Sequence, residues 1–148
     1  YRKLAESAMK LISPYFDKLG DSWTADTALP GGDFNYPRTQ LVDNICSQHL
    51  WLSPETAKRY VNQFGTDSWN LFAGCQSEAD FGIHFGHGVY SREIDYLIET
   101  EFAKKAEDVL WRRTKLGLYL TKEQQAAVAD YINAKVVKLN PVKLDKVG

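Results

Sequence analysis

The chain has 148 residues, 44% of them hydrophobic and 25% charged, which is the composition of one globular domain and excludes a disordered or fibrous chain. Eighteen Lys and Arg stand against nineteen Asp and Glu, and a net charge of −1 lacks the basic excess of a general nucleic-acid binder. The two cysteines, Cys46 and Cys75, are too few for a disulfide scaffold, so quiet core thiols in a reducing compartment are expected.

No apolar run approaches the ~20 residues that cross a bilayer. The first ten residues carry Arg2, Lys3, Glu6 and Lys10, which is not the pattern of a signal peptide. The chain opens on Tyr1, already within a helical pattern, and this leads us to expect that it starts inside a larger protein.

Leu4, Ala8, Leu11, Ile12, Tyr15 and Leu19 follow the 3–4 spacing of one helix face. Pro14 lacks an N–H and crowds the preceding turn, so it should kink this helix or end it near Ile12, with Gly20 as a stop. Residues 21–37 break the pattern. Ala28-Leu29-Pro30-Gly31-Gly32-Asp33-Phe34 is loop chemistry and marks a linker between helix 1 (residues 1–20) and a helical domain over residues 38–140.

Leu41, Val42, Ile45, Cys46 and His49 mark a second helix. Ser53-Pro54-Glu55 starts a third. Serine caps, proline suits the first turn, and Glu55 meets the positive helix end. Ala57, Tyr60, Val61 and Phe64 form its apolar face and Gly65 ends it. Asp67 is expected to cap a short helix carrying Trp69, Leu71 and Phe72.

Residues 81–90 alternate apolar with small or polar residues, a weak extended segment because of three glycines. Ser91 opens a helix with Ile94, Leu97, Ile98 and Phe102 on one face. Ala106, Val109, Leu110 and Leu116 line the next, with Gly117 as its stop. Thr121 and Gln124 make a capping box for the last helix. Its stripe is Val128, Tyr131, Ile132, Val136 and Leu139. Pro141 prevents continuation, and the tail over 141–148 should fray. The expected fold is all-α: an irregular bundle of six to seven helices with a short extended glycine-rich segment.

No complete site motif is present: no GxGxxG, GxxxxGK[ST], HExxH, CxxC or EF-hand loop. His84 and His87, with Cys75 or Glu78, can be drawn as a metal site, but two histidines without supporting spacing are not a coordination set. The bland reading has them bonding backbone in a glycine-rich turn, or facing a partner. Glu99, Glu101, Glu107 and Asp108 could act as acid/base carboxylates. Glu101→Lys105, Lys104→Asp108 and Asp108→Arg112 are i,i+4 pairs, which favours helix-surface charges instead.

The most pointed cluster is Trp111-Arg112-Arg113-Thr114-Lys115. Its cations complement a helix C-terminus and could hold a phosphate. Arg113 falls on the apolar stripe, so it needs a carboxylate partner such as Asp33, Asp95 or Glu99. The stem of Arg112 or Lys115 can simply pack on an aromatic. A helix-turn-helix reading of residues 37–65 is weakened by the neutral charge and by a second helix whose basic residues are Lys58 and Arg59.

Tyr1-Arg2-Lys3-Leu4-Ala5-Glu6, Leu29-Pro30-Gly31-Gly32-Asp33-Phe34 and, above all, the stretch Ala106-Glu107-Asp108-Val109-Leu110-Trp111-Arg112-Arg113-Thr114-Lys115-Leu116-Gly117-Leu118 carry a resemblance. His84-Phe85-Gly86 and the segment from Glu93 to Leu97 fit it too. Over nearly its whole length the chain resembles the C-terminal part of the FAD-dependent glycerol-3-phosphate dehydrogenases.

The resemblance implies a parent that oxidises sn-glycerol 3-phosphate to dihydroxyacetone phosphate, with FAD taking the hydride and quinone the electrons. A related oxidase passes them to oxygen. It implies a homodimer, peripheral on the cytoplasmic face of the membrane, with flavin and substrate domains upstream of this chain. Tyr1 and Arg2 match the end of a flavin-proximal motif, so flavin proximity is carried to those two alone. The missing calcium-binding extension of the mitochondrial form points to a bacterial parent.

The expected role is a non-catalytic buttress, with no cofactor or metal bound by this piece. Asp33, Asp108, Trp111, Arg112, Arg113 and Lys115 are its structural or interface residues. Helix 1 would belong to the flavin domain and would cover its stripe on residues 37–139 or by self-association. Two rival readings stand beside this. One is a helical interaction module that uses residues 81–90 and the Trp111–Lys115 cluster as partner surface. The other is a small metal or phosphate site built on His84 and His87 or on Arg112, Arg113 and Lys115.

Overall fold

Ser53 begins the best-formed helix in the way its sequence demands. Its hydroxyl accepts the Thr56 backbone N–H at 3.2 Å, Pro54 occupies the first turn, and the helix runs Pro54–Phe64 (α3) until Gly65 turns out at φ +58°. The structure is a computed structural model that describes residues 1–139. The expectations for the Leu139 side chain, for Pro141 and for the tail to Gly148 lie outside it.

The α-helices are α1 (Arg2–Ile12), α2 (Arg38–Gln48), α3, α4 (Ser68–Phe72), α5 (Ser91–Thr100) and α6 (Lys122–Leu139). A two-stranded antiparallel hairpin, β1 (His84–Gly86) and β2 (Val89–Tyr90), lies between α4 and α5, with His84 opposite Tyr90 and Gly86 opposite Val89. The all-α reading holds, and the weak extended segment is this hairpin.

The core is an aromatic stack wrapped by helices. Phe72 and Phe81 lie face to face with centroids 4.9 Å apart, and Tyr60 meets both edge-on at 5.6 Å. Trp51, Tyr90 and His49 close the cluster. Edge-to-face and offset pairs of this kind add to the burial of the rings themselves. Leu41 and Ile45 from α2, Ile94 and Leu97 from α5, and Val128 and Ile132 from α6 fill the space around it.

α6 opens on the expected capping box. The Thr121 N–H donates to Gln124 Oε1 at 2.9 Å, and the Gln124 N–H donates back to Thr121 Oγ1 at 3.3 Å. α6 is tied to α5 through Asp95, which accepts the Tyr131 hydroxyl at 3.0 Å and pairs with Lys135 at 3.0 Å.

The loop at residues 31–36 is docked on the helices. The Thr66 N–H donates to the Gly31 carbonyl at 3.0 Å, and Thr66 Oγ1 donates to Asp33. The approach is so close that a Cβ on Gly31 would stand 2.1 Å from the Phe64 carbonyl oxygen, and one on Gly65 only 1.8 Å from that of Gly31. Both residues have positive φ, so glycine is required twice over. Phe34 and Tyr36 then pack against the core, and Arg38 sits over the Phe34 ring at 5.2 Å.

Several local expectations are corrected. The first α-helix stops at Ile12 as Pro14 demands, but Gly20 is not its stop: a single 3-10 turn over Ser13–Tyr15 follows, and Leu19 and Gly20 lie beyond it. None of α1 is buried, so residues 37–139 do not cover its stripe. Asp67 stands at the N-cap of α4 without a side-chain cap bond. Ser91 opens α5 as expected, and its hydroxyl accepts the Ile83 N–H. Phe102 is exposed at φ +57°, because α5 has already ended. The helix drawn from Ala106 to Leu116 is a π-helical turn, Asp108–Arg113, followed by a 3-10 turn, Leu116–Leu118, so Gly117 stops nothing.

Candidate functional site

The π-helical turn makes the Trp111–Lys115 cluster a hub with Asp108 at its centre. One carboxylate oxygen of Asp108 accepts the backbone N–H groups of Lys104 and Lys105 at 2.9 and 3.0 Å. An acidic side chain reaching back over the start of a turn satisfies donors that have no helical partner. The other oxygen takes Arg112 Nη1 at 2.6 Å, with Arg113 Nη1 at 3.7 Å. The Lys104 N–H, then Arg112 and the Lys105 N–H, hold the carboxyl down at about 2 against the upward pull of partial burial.

Arg113 points inward, as its place in the sequence implies, but its partners differ from those expected. Its Nε donates to the Glu101 carbonyl at 2.6 Å and its Nη1 faces Asp108, while Asp33, Asp95 and Glu99 are engaged elsewhere. The Arg113 carbonyl accepts Gln63 Nε2 at 2.9 Å, which ties the turn to α3. Arg112 is the exposed arginine, with 64% of its side chain in solvent against 26% for Arg113. Lys115 Nζ donates to the Trp111 carbonyl, and the Trp111 ring lies so tightly on Gly117 that a Cβ there would meet it at 2.3 Å. The i,i+4 expectation holds for Asp108→Arg112. Lys104 meets Asp108 through its backbone, and Glu101 lies outside a helix, so the pairing of Glu101 with Lys105 is not formed.

The second polar centre is one that the sequence reading missed. Arg59 and Glu93 form two parallel hydrogen bonds, Nη1–Oε1 at 2.7 Å and Nη2–Oε2 at 2.9 Å, with Glu93 fully buried. Arg59 Nη2 also donates to the Gly88 carbonyl at 2.7 Å, and the Tyr60 hydroxyl donates to the same oxygen at 3.0 Å. Burial pulls the guanidinium down, but Glu93 outweighs it, so Arg59 is held as a cation above its ordinary range. Burial pushes the Tyr60 hydroxyl well up. The available signal was Glu93 itself, four residues before Leu97 on the apolar face of α5. Arg59 is consumed by this pair, which removes the main cation from the helix-turn-helix reading.

His84 and His87 are not drawn into a ligand set. His84 stacks on Tyr90 at 4.5 Å and accepts the Gly88 N–H at 3.3 Å. His87 is exposed at the hairpin tip with φ +49°. Glu78 accepts the Tyr90 hydroxyl at 2.6 Å, and among the described residues no group of three His, Cys, Asp or Glu is placed to hold a metal ion. Cys46 and Cys75 are free thiols, each pushed up by burial. At the start of α1, Arg2 pairs with Glu6 at 2.9 Å and Tyr1 is fully exposed. The arrangement as a whole satisfies charges and fixes turns. Asp80, Asp95 and Glu99 line a shallow cleft between α4 and α5, and each already has a partner there: Asp80 the Gln76 and Ser77 N–H groups, Asp95 the Tyr131 hydroxyl and Lys135, and Glu99 Lys135 at 3.9 Å.

A family model described as the C-terminal domain of alpha-glycerophosphate oxidase matches residues 22–139. The glycerol-3-phosphate dehydrogenase of Pseudomonas aeruginosa is 44% identical over 135 residues, covering 91% of this chain and 26% of that protein. The aerobic glycerol-3-phosphate dehydrogenase of Escherichia coli is 35% identical over 132 residues, 89% of this chain and 26% of its own length. The D-erythritol 1-phosphate dehydrogenase of Brucella abortus is 34% identical over 139 residues, 93% and 28% respectively. The chain thus spans about a quarter of the length of the curated relatives it matches. The family model covers the docked loop, the hairpin, the π-helical turn and α6 in one stretch, and the chain belongs to the family of the C-terminal domain of alpha-glycerophosphate oxidase.

Proposed function

We propose that this chain is the C-terminal structural domain of a flavoenzyme that oxidises sn-glycerol 3-phosphate to dihydroxyacetone phosphate and passes the electrons to quinone. The observation that carries the reading is 44% identity over 91% of the chain to a protein named for that dehydrogenation. The enzyme is read as a homodimer, peripheral on the inner face of the cytoplasmic membrane.

FAD, when bound by the preceding portion, supplies the hydride acceptor. The residues of this chain do not by themselves fit a flavin site. Tyr1 is exposed, Arg2 is turned to Glu6, and neither belongs to an enclosing cradle. They border the flavin region, while residues 38–139 buttress it. The exposed apolar face of α1 and of the turn after it supports this, since Leu4 and Leu11 on the helix and Tyr15 in the turn are uncovered and need a surface beyond this chain.

The test is the full-length enzyme with and without this domain, removed from residue 22 onward, assayed for flavin content and for glycerol 3-phosphate-dependent dye reduction. The reading expects both to fall together on deletion. A truncated enzyme as active and as yellow as the intact one would make the domain an accessory. A second reading, oxygen as acceptor, is favoured by the description of the matching family as an oxidase domain. Hydrogen peroxide formed in equal amount to substrate oxidised would select it.

A further inference from the structure

Three consecutive residues at the hairpin tip, Gly86, His87 and Gly88, have φ of +112°, +49° and +67°. A non-glycine residue in that region is strained and persists where its surroundings over-determine it. Here they do. The Gly88 carbonyl is gripped by Arg59 and Tyr60, and its N–H by His84. A fully buried carboxylate, Glu93, is committed to holding Arg59 in that grip. The outcome is an imidazole held outward on a rigid tip.

His87 does not stand alone. Its ring is 6.1 Å from that of Tyr119. Tyr119 follows Leu118, and Gly117 beside them carries the Trp111 ring. Leu118 is 69% exposed, Tyr119 61% and Trp111 39%, so the four neighbours form a strip of uncovered, mostly apolar surface.

We propose that this strip is the seat for the preceding portion of the same polypeptide, with Trp111 and Leu118 as apolar contacts and His87 and Tyr119 as hydrogen-bonding ones. The inference rests on the domain assignment made under Proposed function. Relatives some four times as long as the matched region supply the occupant. A tethered partner is present at high effective concentration, so a small patch suffices. Four side chains fall short of the roughly 800 Å² per partner of a standard protein–protein interface, which argues against a second copy. A bilayer imposes no shape and gains nothing from a pre-set tip, whereas a folded partner does.

The experiment uses the full-length enzyme. Leu118→Cys and, as an exposed reference on α3, Lys58→Cys are labelled with a maleimide and the rates read peptide by peptide. The thiol at 118 should react about tenfold more slowly than that at 58, since a docked surface reacts only when it opens. Adding His87→Gly relieves the strained φ. It should raise the rate at 118 toward that at 58 while the melting temperature does not fall. Equal rates at 118 and 58 in the parent would overturn the proposal. So would slow labelling that appears only with anionic phospholipid vesicles, or only at concentrations where the enzyme self-associates, or a rate at 118 that ignores His87→Gly. Glycerol 3-phosphate oxidation by the same preparation is scored separately. Its absence would sink the function assigned above and leave the labelling result to decide the docking.

Discussion

Arg59 and Glu93, 34 residues apart, meet in two parallel hydrogen bonds of 2.7 and 2.9 Å with the carboxylate fully buried. Breaking such a pair leaves a buried charge without its partner, at a cost of about 3–5 kcal/mol. Glu93→Ala should therefore lower the unfolding free energy by that order. A double change, Arg59→Met with Glu93→Leu, should recover much of it, because two well-packed apolar groups replace two charges. Denaturant titration of the three proteins checks this. A double variant as unstable as Glu93→Ala would show that the Gly88 carbonyl, rather than the unpaired charge, dominates.

Asp108 gives the domain a pH signature at the acid end. Its carboxyl sits at about 2 in the folded chain, below the roughly 3.9 of an unfolded aspartate. A depressed carboxyl stabilises the fold above the unfolded value and loses that contribution as pH falls through the folded one. Stability should thus drop between about pH 4 and pH 2. Asp108→Asn keeps an acceptor oxygen but loses the charge that Arg112 and the Lys104 and Lys105 N–H groups hold, and should be less stable at neutral pH by about 1 kcal/mol. Its curve should be flatter across the acid window. Parallel slopes for the two proteins below pH 4 would count against the carboxylate.

The two adjacent arginines should behave differently although the sequence writes them alike. Arg112→Ala loses one exposed i,i+4 ion pair and should change stability by less than about 0.5 kcal/mol. Arg113→Ala loses a charge-assisted bond to the Glu101 carbonyl and buried stem packing, and should cost about 2 kcal/mol. Thermal melts of the single variants rank them, and equal shifts would contradict the geometry.

Gly65→Ala is the sharpest steric test. The added carbon would stand 1.8 Å from the Gly31 carbonyl oxygen at a φ of +58°. The backbone must move, at a cost of at least ~2 kcal/mol. Gly20→Ala, with nothing within 4 Å of the new carbon, is the control and should be silent.

Period and punctuation carried most of the fold. Ser53-Pro54, the Thr121–Gln124 box and the Val128–Ile132 stripe act within a few residues of one another, so their physics is written locally. What escaped was non-local. The place of Arg113 on the apolar stripe demands a partner, but the carboxylate it meets is Asp108, five residues back, at 3.7 Å, and its short bond goes to the Glu101 main-chain carbonyl, which no carboxylate pattern announces. The Arg59–Glu93 pair depends on α3 and α5 being packed together before either charge makes sense. The π-helical turn adds one residue to each turn, so a 3.6-residue period drawn through Ala106, Val109 and Leu116 slips out of phase there.

The interlock of Gly31 with Gly65 also says where this polypeptide can be cut. Residues 31–36 are held by main-chain bonds and ring packing to α3 and α4, so they travel with the helical body when it is produced separately. A fusion joint or protease site placed at residue 37 would strip out Phe34, Tyr36 and the hydrogen bond to Thr66. One placed between residues 17 and 22 would sever only exposed chain.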